Sequence, residues 1–351
     1  MAPDPLRLWT GTLPVIDPTD RAARLGLNPI VRARLDDRHE PELRHERYGS
    51  LLTHYELVDD PAGAEAAVFP FVYELVDRAQ FVAFVREAER LGLRTLVVSG
   101  DDFEPVMPSE SVILLHPGPT RGAQPKAHVL ALPYLAAGRS DDFEPRPDGD
   151  RPSVAFCGQG AARPIAQWGQ TVRRAALQVS NRIQPRIIAP PLAGHVGLRS
   201  TALTRLEEHR GVDDHFVIRD QYRAGVSSTD DRARTETEFD DNLRSATYAL
   251  CIRGSGNFSA RFYEALSLGR VPLFVNTNCV LPLEDQIDWR ARCVWLESDD
   301  VDSIGDRLVQ QHPTTLGDPS RSPTALRELW ESHLTSDGYF SLLPTSIRAL
   351  L

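Results

Sequence analysis

The chain has 351 residues, enough for two domains. At 41% hydrophobic and 25% charged it has the composition of a soluble globular protein, which excludes wholesale disorder and a membrane bundle. A formal net charge of -10 argues against general nucleic-acid binding, so any phosphate site must be a local island of arginine.

No stretch approaches the run of about eighteen apolar residues that a spanning helix needs. The opening MAPDPLRLWTGTLPVIDP lacks a basic segment followed by an apolar core. A cytoplasmic protein with no integral membrane segment is therefore expected. Cys157, Cys251, Cys279 and Cys293 have no Cys-x-x-Cys spacing, so buried thiols are expected, without a disulfide framework or zinc site.

Residues 1 to about 50 are hard to read. Pro3, Pro5, Pro14, Pro18 and Pro29 break long elements, and RARLDDRHEPELRHERYG is a dense charge run expected on the surface. Nothing in the spacing of His39, His45 and Glu46 favours a metal cluster over surface. From His54 the pattern sharpens into a strand, a turn at Asp60-Pro61, and an apolar strand from Ala67 to Val72. Phe71, Tyr73 and Glu74 lie at its carboxyl end, where they either face a cleft or join the core. Val76 to Leu91 carries the apolar stripe of an amphipathic helix closed by Gly92. RTLVVSG, SVILLH and HVLALPY then read as strands, and helix alternating with short apolar strand predicts a mostly parallel sheet. His116 ends one of these strands, at a position suited to a cleft-facing polar residue, and His128 is a weaker candidate. DDFEP occurs at 101 to 105 and again at 141 to 145 without matching flanks, which makes no repeat architecture.

Residues 139 to 153 are polar and rich in Pro and Gly, which marks a domain boundary. VAFCGQG restarts a strand whose Gly158 to Gly160 turn permits close approach of a ligand. Arg173 and Arg174 read as surface residues on a following helix. IQPRIIA and HFVIRD read as strands, GVSSTDDRA as a loop, and Phe239 to Leu243 as part of a helix.

The most informative stretch runs from Cys251 to Trp289. ATYALCI is an apolar strand, a loop with Gly254 and Gly256 follows, a helix opens near Ser259, Gly269 closes it, and Val271 to Val275 is a second buried strand. A helix start carries unpaired N–H groups that attract anions, and Arg253 and Arg261 add charge at the same mouth. Phe258, Phe262, Ala265 and Leu266 share the face expected on the sheet. Arg261 and Glu264, three apart, are either a solvent-exposed ion pair or a phosphate and sugar-hydroxyl pair of contacts. Beyond Trp289, RCVWLES reads as a strand and VDSIGDRLVQQ as a helix. A linker spans roughly 312 to 323, and PTALRELWESHL carries Leu326, Leu329, Trp330 and Leu334 on one stripe.

CIRGSGNFSARFYEALSLGRVPLFVNTNCVLPLEDQIDW closely resembles the C-terminal signature of exostosin-family (GT47-like) glycosyltransferases. That signature has Arg-Gly after an apolar strand, Ser-x-Arg-x-x-Glu-Ala opening a helix, Gly-x-x-Pro entering a strand, then Leu-Pro-x-Glu-Asp and Ile-Asp-Trp. The Asp-Pro, Glu-Ala and apolar-strand order between residues 54 and 73 extends the likeness, less specifically, to the first half. Arg270 departs from many animal relatives, which have Cys there. The resemblance implies an α/β GT-B fold: two Rossmann-like domains with mostly parallel sheets facing across a cleft. Residues 1–147 would form an acceptor-side domain and 148–318 a nucleotide-sugar-binding domain. Residues 319–351 would form a helical segment packing back on the first domain.

By the same resemblance the activity is sugar transfer from a nucleotide-sugar donor, with UDP as the expected nucleotide, to a saccharide or glycoconjugate acceptor. A cytoplasmic bacterial enzyme is the simplest form of it. Arg253, Ser259, Arg261 and Glu264 would line the donor site, and Glu284 and Asp285 would lie near the reacting sugar. The loop residues Gly254, Ser255 and Asn257 offer backbone N–H groups to the diphosphate. No strand-flanked Asp-x-Asp is present, so the donor is expected to bind without a metal and no other cofactor is expected. An inverting reaction also needs a carboxylate or histidine to deprotonate the acceptor, for which Asp285, Glu284, Glu74 and His116 compete. A nicotinamide-dependent oxidoreductase would want a third glycine after Gly254-x-Gly256. A non-catalytic saccharide- or nucleotide-binding protein stays open.

Overall fold

A computed structural model describes residues 4–11, 26–35, 49–124, 126–135, 146–160, 187–188, 195–219 and 229–351. The first half holds β1 (Leu6–Trp9), α1 (Pro29–Leu35), β2 (Tyr55–Val58), β3 (Ala66–Val72), α2 (Arg78–Arg90), β4 (Thr95–Val98), β5 (Val112–His116) and β6 (His128–Ala131). These strands form one sheet in the order β2-β1-β3-β4-β5-β6, with every pair parallel. Every residue of β4 and β5 is buried, as a sheet covered on both faces requires.

The second half holds β7 (Ser153–Gln159), α3 (His195–Glu207), β8 (Asp213–Arg219), α4 (Thr229–Arg244), β9 (Tyr248–Cys251), α5 (Ala260–Ser267), β10 (Val271–Asn276), α6 (Trp289–Arg292) and β11 (Val294–Glu297). Its sheet runs β11-β10-β9-β7-β8, again wholly parallel. Three helices follow: α7 (Ile304–Gly317), α8 (Pro323–His333) and α9 (Ser336–Arg348). Two parallel sheets in α/β domains make a GT-B-like double-Rossmann fold. In the second sheet the winding direction reverses at β7, which lies between β8 and β9. An open α/β sheet binds ligands at the carboxyl ends of such strands.

Three elements differ from expectation. β1 lies within residues 1 to 50 and is an inner strand, with Leu6 opposite Tyr55 and Leu8 opposite Ala66. Pro5 precedes its first residue, where a missing N–H costs no ladder bond, and four residues are too few to show a period. The GVSSTDDRA loop is in part helical, because α4 opens at Thr229. The linker expected from residue 312 is helical to Gly317 despite Pro313. Buried His312 anchors it, its Nδ1 2.8 Å from the Tyr248 hydroxyl and its Nε2 2.9 Å from the Gly149 carbonyl oxygen. His39, His45, Glu46, Arg173, Arg174, the second DDFEP and most of IQPRIIA lie outside the described residues.

Contacts at several places tie the two halves. α9 reaches the first sheet, where the Tyr339 hydroxyl donates to Ala131 O at 3.0 Å and Arg348 pairs with Glu65 at 2.8 Å. The β5–β6 loop reaches the second half. There Arg121 grips both oxygens of Glu284 at 2.7 and 2.8 Å, and the Asn257 amide donates to the Thr120 hydroxyl at 3.1 Å. Gly118 permits this contact, because a Cβ there would stand 2.9 Å from the Asn257 carbonyl carbon.

Candidate active site

A cleft of about 690 Å³ lies at the carboxyl ends of β7 and β9. Its floor is Cys157 to Gln159 from β7 and Ile252 with the glycine loop after β9, and α5 contributes Ser259, Arg261 and Glu264. Arg199 from α3 and Thr235, Glu236 and Phe239 from α4 close one side. Asp102 and Tyr134 enter from the first half of the chain.

Two arginines share one aromatic ring on that floor. The Arg261 guanidinium carbon lies 4.2 Å from the Phe156 ring centroid, and that of Arg199 lies 5.9 Å away. Arg261 donates to Cys157 O at 2.6 Å and to Leu250 O at 3.3 Å. Arg199 donates to Gln159 O at 2.8 Å and to Arg253 O at 2.7 Å. Their bonds thus go to main-chain carbonyls, which orient a guanidinium without neutralising it. Burial, helped by the Arg261 charge, pulls Arg199 from 12.5 down to about 10. Burial also lowers Arg261, against the opposing pull of nearby groups that include Glu264. Two desolvated like charges held together are relieved by an anion placed between them. Addition of millimolar pyrophosphate is therefore expected to raise the melting temperature, as ligand linkage requires. A thermal-shift titration against sulfate and chloride at matched ionic strength measures it.

The glycine loop and helix start complete this wall. Ser259 is the N-cap of α5 but makes no side-chain capping bond, so the unpaired N–H groups of a helix start are left to other partners. Gly158 adopts φ 154°, and a Cβ there would stand 3.2 Å from Arg261 Nη2. Gly256 has Asp102 of the other half against it, with a Cβ only 3.0 Å from the Asp102 carbonyl oxygen. Glu264 is 9% exposed, which removes the solvent-exposed ion-pair alternative for it.

The site residues expected from sequence divide accordingly. Gly254, Ser255, Ser259, Arg261 and Glu264 line the cleft, while Arg253 lies beneath the loop, 8% exposed and donating to Ser255 O at 3.1 Å. Asn257 is turned to the domain contact, where its Oδ1 also accepts from the Thr277 hydroxyl at 2.7 Å. Glu284 and Asp285 are not among the cleft-lining residues. Glu284 is engaged by Arg121, and Asp285 is exposed and accepts from the Ser346 hydroxyl of α9 at 3.3 Å. Arg121 is 55% exposed, so water screens this ion pair. Glu284→Gln is expected to cost about 0.5–1 kcal/mol in a denaturation titration. Phe71 and Tyr73 pack edge-on against Phe69 and Phe81. Glu74 is exposed and accepts from the Ser99 hydroxyl and, at 3.2 Å, from the Gly100 N–H.

His116 is not cleft-facing but fully buried, its Nδ1 accepting from the Gly118 N–H at 3.1 Å. Burial pushes it from 6.5 down to about 4. Above pH 6.5 neither the folded nor the unfolded chain protonates it; between about 4 and 6.5 only the unfolded chain gains the proton. Stability is therefore full above pH 6.5 and lost as the pH falls to about 4, by about 3 kcal/mol in all. Urea titrations of wild type and His116→Gln across this range should show the slope reduced in the variant.

Sequence reading missed Arg199, Asp102 and Tyr134. Arg199 sits in HVGLRSTALTRLE, a helix in which a second arginine, Arg205, pairs with Asp302 on the surface. Asp102 belongs to a charged turn that spacing could not place. Partial burial raises its carboxyl above the usual value and the Asp101 charge adds to the rise, while Ser255 and Arg253 pull it down. Tyr134 ends the apolar run HVLALPY with no local signal of a site, and it is 39% exposed.

Cys157, Cys251, Cys279 and Cys293 are free and buried. Arg270, 1% exposed, braces the helix end by donating to Leu268 O at 2.9 Å and Arg244 O at 3.1 Å. Among the described residues no three His, Cys, Asp or Glu side chains are grouped to hold a metal ion. No helix among them is long and apolar enough to cross a membrane.

Residues 193–311, which include α3, the glycine loop and α5, match the Exostosin GT47 domain. Over 112 residues the chain is 31% identical to exostosin-1 of Drosophila melanogaster, covering 30% of this chain and 14% of that protein. The probable glucuronosyltransferase GUT1 of Oryza sativa subsp. japonica is 31% identical over 98 residues, 26% of this chain and 23% of the rice protein. Exostosin-1 of Mus musculus is 34% identical over 115 residues, 30% of this chain and 14% of the mouse protein. The chain thus matches less than a quarter of the length of each of these relatives. Among solved structures, spinosyn rhamnosyltransferase SpnG covers 97% of this chain at 15% identity with a TM-score of 0.33, too slight a likeness to weigh. The likeness to the Exostosin GT47 domain thus lies in the second half of the chain, over residues 193–311.

Proposed function

We propose that the chain is a glycosyltransferase that takes a sugar from a nucleoside diphosphate donor, UDP being the expected nucleotide, and passes it to a saccharide or glycoconjugate. The observation that carries this is the pair of desolvated arginines over Phe156 at the mouth of a glycine loop and helix start. As the anomeric bond breaks, negative charge develops on the departing diphosphate. Arg199 and Arg261 are already oriented by main-chain carbonyls to receive it, so little reorganisation is needed. Ser255 and the start of α5 hold the same phosphates through N–H groups, while the Gly254 N–H closes the loop on Phe258 O at 3.1 Å and Arg253 adds its charge from beneath. Glu264, one helical turn beyond Arg261, accepts from ribose or sugar hydroxyls. With two arginines in the role a divalent ion has elsewhere, the reaction needs no metal, and attack on the face opposite the diphosphate inverts the anomeric centre.

Calorimetric titration with UDP, GDP and NAD in the presence of EDTA tests this. UDP is expected to bind most tightly, and chelation is expected to change UDP affinity and UDP-sugar turnover by less than about twofold. Absence of UDP binding, or collapse of turnover on chelation with recovery in manganese, would sink the corresponding part. UDP binding without turnover of any UDP-sugar would leave a nucleotide-binding protein.

A further inference from the structure

We propose that Asp102 and Tyr134 form the acceptor side of this cleft, with Asp102 taking the proton from the attacking hydroxyl and Tyr134 seating the acceptor sugar, a placement that rests on the opposite wall binding the donor. Among the described residues three carboxylates line the cleft: Asp102, Glu236 and Glu264. Glu264 belongs to the helix that carries Arg261, and Glu236 to a helix of the same half, so both stand on the diphosphate side. In-line displacement brings the nucleophile to the face of the anomeric carbon opposite the leaving group. The proton acceptor must therefore come from across the cleft, and among the described residues Asp102 and Tyr134 are the lining residues contributed by the first half.

The position of Asp102 is fixed by contact. Its main chain lies against Gly256 so closely that any side chain at 256 would meet the Asp102 carbonyl oxygen at 3.0 Å. The Asp101 carboxylate turns back to accept from the Asp102 N–H at 2.6 Å, so of the two adjacent carboxylates it is Asp102 that lines the cleft. Partial burial and the Asp101 charge make the Asp102 carboxylate a better proton acceptor than one in water. Tyr134 presents an exposed ring to the same cleft, the amphipathic surface that suits the C–H face of a sugar ring. In the step itself the acceptor O–H proton passes to an Asp102 oxygen, and the acceptor oxygen bonds to the anomeric carbon. The bond from that carbon to the phosphate oxygen breaks, and its electron pair leaves with the diphosphate held by Arg199 and Arg261.

The test uses the full chain, UDP-glucose, UDP-galactose and UDP-glucuronic acid as donors, and a panel of p-nitrophenyl glycosides as acceptors. Asp102→Asn is expected to keep UDP affinity within about twofold while kcat falls by about 10²-fold or more. Asp101→Asn is expected to stay within a few fold of wild type in both. Tyr134→Ala should raise the acceptor KM by about tenfold with UDP affinity unchanged. An Asp102→Asn enzyme with kcat within threefold of wild type overturns the assignment. So does parallel loss of UDP binding and turnover in that variant, which would make Asp102 a donor-side or folding residue. Failure of wild type to bind UDP is a different result, and it overturns the donor site and this acceptor site together.

Discussion

Arg261→Ala is expected to lower kcat/KM for the UDP-sugar by about 10²- to 10³-fold, the cost of removing one oriented donor from a developing oxyanion. Part of the loss should appear as weaker UDP binding, by about 1.5–3 kcal/mol, the range for a charged hydrogen bond. Stability should change little. The guanidinium is itself desolvated and repels Arg199, so its removal relieves two unfavourable terms while freeing Cys157 O and Leu250 O. Arg261→Lys should recover only part of the activity, because one ammonium cannot reach both carbonyls and still lie flat on Phe156. Calorimetry with UDP, beside thermal melts of both variants, separates these contributions. Unchanged UDP affinity in a folded Arg261→Ala protein would remove the donor assignment.

Phe156→Ala should give the largest loss of stability, about 3–5 kcal/mol, as expected when a buried aromatic side chain is cut back to Cβ. Phe156 has no exposed surface, packs edge-on against Phe216 at 6.4 Å, and carries Arg261 and Arg199 on its ring. The informative partner is Phe156→Leu. It keeps most of the apolar volume and should cost less than about 1.5 kcal/mol of stability. It still loses the cation–π contacts, each worth about 0.5–2 kcal/mol, so UDP affinity should fall more than stability does. Urea denaturation and UDP titration of both variants check this. A Phe156→Leu protein with wild-type UDP affinity would show that the ring is only core.

The features legible in the sequence are those whose cause lies within a few consecutive residues. RTLVVSG, SVILLH and VAFCGQG are short apolar runs separated by helical or turn segments, and a chain so patterned buries its strands on both faces of parallel sheets. The two α/β sheets follow from that alternation. The Cys251-to-Val275 unit was legible for the same reason: strand, glycine loop, helix start and strand are all local, and each end carries its own signal in Gly254, Ser259 and Gly269. Residues as local as Arg261 and Glu264 could be placed on one helix, but not assigned to water or to a cleft. Their burial depends on α3, α4 and β7 packing around them.

Which charges meet depends on how the two halves pack. Glu284 stands in the motif that suggested chemistry, yet Arg121, 163 residues earlier, holds it at the domain contact. Asn257 belongs to the glycine loop, but its amide is satisfied by Thr120 and Thr277. Arg199 and Asp102 sit in stretches with no distinguishing local pattern, and they reach the cleft because β7 lies between β8 and β9 and because Gly256 has no side chain to hold the halves apart. A side chain's partners across a cleft are set by how two sheets dock, and docking depends on shape summed over both domains. No spacing within one helix or loop carries that information.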